Sequence, residues 1–440
     1  MKKSPEILQV LFFLFIGNIG VQTAFAQTVW NGTVNTAWYN ASASTFTITT
    51  AEQLAGLRQL VNAGNDFRNK TVKLGANIAL NSITNWQNWE TTPPARTWTP
   101  IGTNTNKFNG TFDGAGFTVQ GIYISNTSDF QGLFGSINTY GTIKDLGVIS
   151  SYTKGKNTVG GIVGSNYGTI INSYFSGTMK GNDNVGGLVG LNNAGIISSS
   201  YSSGTVKGND NIGGFVGRNV GKINTSYSTG SVEGDHAGGF AGGNSGMIED
   251  SYSTSAVTCG VGSTTYSYCG GFTGNNAGGK IHRTYSTGKI TDETSWLNRL
   301  NSVGGFVGNN GKETIKAILE KLAEYTIEST CYTVTAGLDG GLCGILAEKG
   351  AQALVGGEPE IIRSYYNTQT SDKNKAIGGG MASSGITGKT TPLMKQQSTF
   401  VQWDFNRPWG ISAARNDGYP HLVAFYNSSS SGGSSSSGGS

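Results

Sequence analysis

Gly186-Gly-Leu-Val-Gly-Leu-Asn192, followed by Gly195-Ile-Ile-Ser-Ser-Ser-Tyr201, is one copy of a phrase that governs residues 159–311. The Gly-Gly pairs begin at Gly160, Gly186, Gly213, Gly238, Gly270 and Gly304, so successive copies are 26, 27, 25, 32 and 34 residues apart. Register holds inside each copy. Asn166, Asn192, Asn219, Asn244, Asn276 and Asn310 each sit two residues after the closing Gly, and Tyr174, Tyr201, Tyr227, Tyr252 and Tyr285 each follow a Ser or Thr. A period of this length marks stacked units, none of which buries its apolar side alone.

The units are too rich in Gly, Ser, Thr and Asn to be helices, because those residues weaken helix interiors or favour caps and turns. Each holds two or three short β-prone runs between Gly and Asn corners. The expectation is an all-β chain, a β-solenoid of the parallel β-helix type, with three corners per coil and about 4.8 Å added by each coil. Propeller blades need about 40 residues each, which these repeats do not supply. Counting an imperfect first copy at Gly132-Leu-Phe-Gly135 and weaker coils after Tyr365, the stack should hold eight or nine coils.

Outward from the repeat, the chain divides into six segments. Residues 1–26 read as a secretory signal: Lys2 and Lys3, the apolar run Val10 to Ile16, and an Ala24-Phe25-Ala26 cleavage site. Residues 27–130 form an N-terminal capping region and the first coils. There Thr50 caps a helix with Gln53 at the capping-box position and Leu54, Leu57, Leu60 and Val61 on one stripe, suited to covering the first strand edge. Repeats occupy 131–311. An insertion at 312–359 interrupts a corner, with Ile315, Ile318, Leu319 and Leu322 at helical spacing across an excursion near 312–358. Residues 360–427 hold the last coils and a cap of Phe400, Trp403, Phe405, Trp409, Tyr419, Pro420 and Leu422, expected to cover the final coil. Residues 428–440 are Ser and Gly only, a flexible linker that points to a downstream module.

Composition narrows the function. Gly is 69 of 440 residues without a Gly-X-Y period, and Pro is only 8, which excludes collagen. Charged residues are 13 % and the formal charge is +4 with no Lys/Arg cluster, so nucleic acid is not the partner. Beyond the leader no stretch is long and apolar enough to span a bilayer. Four cysteines in an exported chain point to disulfides. Cys259 with Cys269 and Cys331 with Cys343 are the local pairings; three connectivities are open, as are buried free thiols. Neither couple has metal-ligand spacing, and no cofactor motif is present.

The chain resembles the GLUG-motif repeat proteins of bacterial surfaces. The resemblance rests on Gly132-Leu-Phe-Gly135, the repeated Gly-Gly-X-Val-Gly with its Asn, and the Ser-Tyr-Ser-X-Gly-X-Val tail. An opening with Ala51-Glu-Gln-Leu and Phe108-Asn-Gly-Thr-Phe-Asp-Gly, and a close with Phe400-Val-Gln-Trp-Asp-Phe and Gly418-Tyr-Pro-His-Leu422, are similar to theirs as well. The resemblance implies exported or surface-bound, adhesin-like proteins and brings no catalytic residues with it.

Two columns carry the functional question. The Asn column reads as a structural ladder of amides bonded from coil to coil. The Tyr column shares no parity with Val206, so inward Val sends Tyr outward into a candidate binding stripe for surface glycans or a host or matrix protein. Ile197 has the parity of Tyr201 and also wants burial, which a corner or bulge between them would reconcile. The other reading of the column is structural: rings that stack on one another. Asp183, Asp210 and Asp235 recur at corners, where Asp is a common turn former. As a carboxylate pair they would support the alternative, a polysaccharide lyase or hydrolase on the same scaffold. The expectation is a non-catalytic, exported adhesin or stalk. A passive spacer for a missing module is the third reading.

Overall fold

The computed structural model describes residues 28–260, 267–293, 302–311, 359–373, 375–380 and 383–425. The expected signal at 1–26, the helical excursion near 312–358 with Cys331 and Cys343, and the linker at 428–440 lie outside the described residues.

One coil shows how the phrase folds. Asp210–Gly213, Val216–Asn219, Lys222–Asn224 and Tyr227–Gly234 are four successive strands. Each pairs in parallel register with its counterparts in the coils before and after. The result is a parallel β-solenoid of four faces, with sheets of ten, six, eight and thirteen strands. Two features differ from the sequence reading. The coil has four strands because the Gly-Gly pair breaks into two what reads as one apolar run. The ten-stranded face exceeds the eight or nine coils expected, since Thr45–Ile48 already pairs with Thr71–Leu74 ahead of the repeats.

Sterics explain the glycines. A Cβ on Gly213 would lie 2.0 Å from the Val216 carbonyl oxygen, and one on Gly214 would lie 2.2 Å from the Gly239 carbonyl oxygen of the next coil. Real Cβ atoms do not come so close to backbone. The first Gly therefore allows the tight corner, and the second allows the next coil to stack directly over it.

Inside, like stacks on like. Ile212, Phe215, Val216, Ile223 and Val232 are fully buried and join one continuous core. Phe215, Phe240, Phe272 and Phe306 form an inner file of stacked rings at 4.7, 5.0 and 5.1 Å. Each such side chain contributes about 1.5–3 kcal/mol of burial. At the N-terminal end helix α1 (Ala51–Asn62) adds Leu54, Leu57 and Val61 to this core, with Thr50 and Gln53 making the reciprocal capping box. Cys259 and Cys269 are joined by a disulfide.

The C-terminal aromatics do not sit over the last coil. They form a second cluster on the flank of the stack, against Tyr252, Tyr285 and Tyr365. The outward tyrosines form a continuous strip along the side, and the tail buries the part of it at Tyr252, Tyr285 and Tyr365.

Candidate functional site

The outer surface of the thirteen-stranded face is the most regular in the molecule, and a single corner builds it. Ser199, Thr225, Asp250 and Arg283 adopt φ of 49°, 48°, 45° and 50°, turning the chain from the ten-stranded face onto the thirteen-stranded one. That left-handed residue resolves the parity conflict: Ile197 points inward on one face and Tyr201 outward on the next. The serine before Tyr174, Tyr201, Tyr227 and Tyr252, noted in the sequence only as a neighbour, secures the corner. The Ser200 hydroxyl donates to the Ser198 carbonyl (2.8 Å) and accepts from the Ser173 N–H (3.2 Å), and Ser226 and Ser251 repeat the donation.

The tyrosines then stack. Tyr174, Tyr201, Tyr227, Tyr252 and Tyr285 have centroid spacings of 4.9, 4.8, 4.9 and 5.0 Å, with planes within 3°. Each pair adds about 0.5–1.5 kcal/mol beyond its buried area. Ring faces are spent on neighbouring rings, and the Tyr174 ring lies over Gly147, where a Cβ would come within 2.5 Å of Cζ. What the stripe offers a ligand is ring edges and hydroxyls. Burial pushes the Tyr174 hydroxyl up, and burial, then the neighbouring Tyr174, pushes that of Tyr201 up to about 12.

The C-terminal segment takes the lower half of this stripe. Tyr285 is fully buried, and its hydroxyl donates to the Pro420 carbonyl (2.6 Å) and accepts from the Asn416 amide (2.7 Å). Trp403 donates its indole N–H to the Arg363 carbonyl (3.0 Å), and Trp409 donates to Asp250 (3.2 Å). Phe425 stands edge-on to Tyr227 (4.8 Å) and Tyr201 (5.8 Å). Tyr174, Tyr201 and Tyr227 remain half-buried.

Beside the tyrosines, hydroxyl columns run along the axis. Ser203 lies beside Thr229, and Thr205 lies between Thr178 and Ser231. At the far edge Lys154, Lys180 and Lys207 align with Glu233. Lys207 pairs with Glu233 (2.5 Å), and Lys180 reaches Glu90 of an N-terminal loop (2.5 Å).

The asparagines form a buried ladder. Asn166, Asn192, Asn219, Asn244 and Asn276 each donate the side-chain amide to the Oδ1 of the next, at 2.7, 2.8, 2.9, 2.9 and 3.0 Å, ending on Asn310. None is more than 1 % exposed, so no ligand can reach them.

The acidic residues were weighed for catalysis. Asp183 and Asp210 are directly paired neighbours on the six-stranded face. Burial, then the charges of Asp210 and Asp129, raises the Asp183 pKa. For Asp210 burial is the largest influence and pushes upward, but the hydrogen bond with His236 (2.5 Å), the His236 and Arg218 charges and the Asn211 N–H together outweigh it and the pKa falls. A second charged group interrupts the repeat near the tail. Both Asp250 oxygens are held by Arg283 (2.7 and 2.8 Å), Glu249 meets Lys222 (3.2 Å) and Arg283 (3.5 Å), and His282 lies 3.3 Å from Glu360. These charges satisfy one another. Among the described residues no three His, Cys, Asp or Glu side chains are grouped to hold a metal ion. No helix there is long and apolar enough to cross a membrane.

Comparison with known proteins agrees with the geometry. The family described as "The GLUG motif" matches residues 155–179 and 181–207, two successive coils. A "Putative Gly-rich membrane protein" of Evansella cellulosilytica is 37 % identical over 79 residues, 17 % of this chain and 9 % of that protein. "Halomucin" of Haloquadratum walsbyi is 30 % identical over 156 residues, 34 % of this chain and 2 % of that protein. The chain thus spans less than a tenth of the length of either curated relative. No solved structure matches it. With motif, register and stacking in agreement, the chain carries GLUG-motif repeats at 155–179 and 181–207 within a parallel β-solenoid.

Proposed function

We propose that this chain is an exported surface protein whose solenoid serves as an adhesin or stalk and binds through its repetitive outer face without catalysing a reaction. The observation that carries this reading is the recurrence of outward groups on the uncovered part of the thirteen-stranded face: Tyr edges, hydroxyl columns and an edge of three lysines, with rings 4.8–4.9 Å apart. Such a face presents many equal weak contacts on a rigid column, and simultaneous contacts multiply affinity. Surface glycans or a matrix protein are the partners it suits. The relatives' printed names, a membrane protein and a halomucin, point to the same setting.

Deleting residues 187–213 joins Gly186 to Gly214 and removes one coil in register. Binding of the chain to glycan-coated or matrix-coated surfaces should weaken with each coil removed. Affinity indifferent to coil number would refute the reading, and absence of any binding would leave a passive spacer. The enzyme alternative has one observation in its favour, the opposed pKa shifts of Asp183 and Asp210. Release of reducing ends or unsaturated products from a polysaccharide panel, abolished by Asp210→Asn, would decide for it.

A further inference from the structure

Residues 81–97 connect two coils through a long loop whose regular structure is one turn at Trp86–Asn88. Connections of more than about 12–15 residues without structure of their own are usually functional or disordered. This one is fixed in place. Trp89 is buried edge-on against Tyr123 (5.9 Å), and both Glu90 oxygens meet Lys180 (2.5 and 2.6 Å). The Asn81 amide donates to the Arg96 carbonyl (2.8 Å) and the Gly121 carbonyl (2.9 Å), and accepts from the Arg96 N–H (3.1 Å). The loop and residues Val29 and Trp30 line a preformed, partly open cleft of about 570 Å³, within the usual range for small-ligand sites.

Its lining has a definite chemistry. Trp30 and Trp89 form its inner wall with only 7 % and 3 % of their surfaces exposed, and the exposed Asn85 and Asn88 supply side-chain amides. Arg96 is exposed at the cleft, and no carboxylate among the described residues pairs with it. Its guanidinium lies over Gly32, where a Cβ would come within 3.1 Å of it. A second guanidinium, Arg58, rests 5.6 Å from the Trp30 ring centroid and likewise has no acidic partner among the described residues. The cleft is therefore aromatic, amide-lined and net positive.

We infer that this cleft is a discrete binding site for a carboxylate-bearing saccharide, with the hydroxyls on Asn85 and Asn88 and the acid group on Arg96. A neutral sugar would leave Arg96 unanswered, whereas a carboxylate gains a charge-assisted and geometrically matched pair. The site lies outside the repeats and does not rest on the repetitive face.

The test uses the full chain with oligogalacturonate, oligoguluronate and hyaluronan fragments, and neutral cello-oligosaccharide as the contrast, read by calorimetry and tryptophan fluorescence. At least one acidic oligomer should bind one per chain and quench tryptophan, with the neutral oligomer weaker. Arg96→Gln should weaken that binding by about tenfold to a hundredfold at unchanged melting temperature, since the side chain is exposed. Ser203→Lys, on the repetitive face, should leave it unchanged. No binding of any acidic oligomer, several ligands per chain, or an Arg96→Gln variant that binds as wild type would overturn the inference. Loss in Ser203→Lys with Arg96→Gln intact would place recognition on the repetitive face instead.

Discussion

Replacing Asn219 by Ala tests whether the buried amide file holds the coils together. Asn219 accepts from Asn192 (2.8 Å) and donates to Asn244 Oδ1 (2.9 Å) and the Gly221 carbonyl (3.2 Å). After truncation Asn192 keeps its bond to the Gly195 carbonyl, and the Gly221 carbonyl keeps the Met247 N–H. Asn244 Oδ1 and the second N–H of the Asn192 amide are left buried without a partner. Three lost hydrogen bonds at about 1 kcal/mol each, plus part of the cost of these two orphaned groups, give a loss of about 4–5 kcal/mol. Because stability in a stacked array is nearest-neighbour, the loss should be local. Hydrogen exchange should speed up in the coils carrying Asn192, Asn219 and Asn244 while the coil at Phe134–Ile137 is unaffected. The double variant Asn192→Ala/Asn219→Ala removes one shared bond only once, so its cost should fall short of the sum by about 1 kcal/mol. Strict additivity, or a single-variant cost below about 1 kcal/mol, would refute the ladder as a source of cohesion.

Trp409→Ala removes a fully buried indole packed on Trp403 (4.4 Å) and bonded to Asp250, and should cost the tail about 3–5 kcal/mol. Limited proteolysis within 391–425 should accelerate while the coils stay protected, and unchanged cleavage would count against the flank docking. Gly214→Ala forces a methyl toward the Gly239 carbonyl and should destabilise by about 1–3 kcal/mol in urea titrations; a neutral result would mean the coils can separate to admit it. Asp183 has a raised pKa in the fold, so it favours folding only below the ordinary aspartate range, and this contribution is lost as pH rises through the raised value. Asp183→Asn should therefore be more stable than wild type at pH 7 by about 0.5 kcal/mol and equal to it near pH 3; lower stability at pH 7 would reverse the sign.

The stacked architecture was legible because Gly213 and Gly214 are required sterically and recur with the Asn and Ser-Tyr in fixed register. The parity conflict between Ile197 and Tyr201 called for a corner or bulge between them, but the left-handed residue that makes it was not legible, because Ser199, Thr225, Asp250 and Arg283 share a backbone angle but no side-chain type. The tail was legible as apolar cover, since Trp403, Trp409 and Leu422 must be buried somewhere, but those residues read alike whether they close an end or a side. Tyr285 held the missing information: an outward ring in a long file needs a partner, and only its neighbours in space show that Pro420 and Asn416 supply one. The Trp loop stood out by composition, yet the cleft beside it depends on Asn81 bonding across to Arg96, which spacing does not reveal.

The course of the tail has a mechanical consequence. It starts on Tyr365 beside the last coils and reaches Phe425 at the level of Tyr201 and Tyr227, doubling back along the column. Tension applied beyond Phe425 would therefore not tug on the final coil first. It would peel the aromatic strip away ring by ring, dissipating load while the stack beneath stays wound, and would uncover fresh tyrosines as it goes.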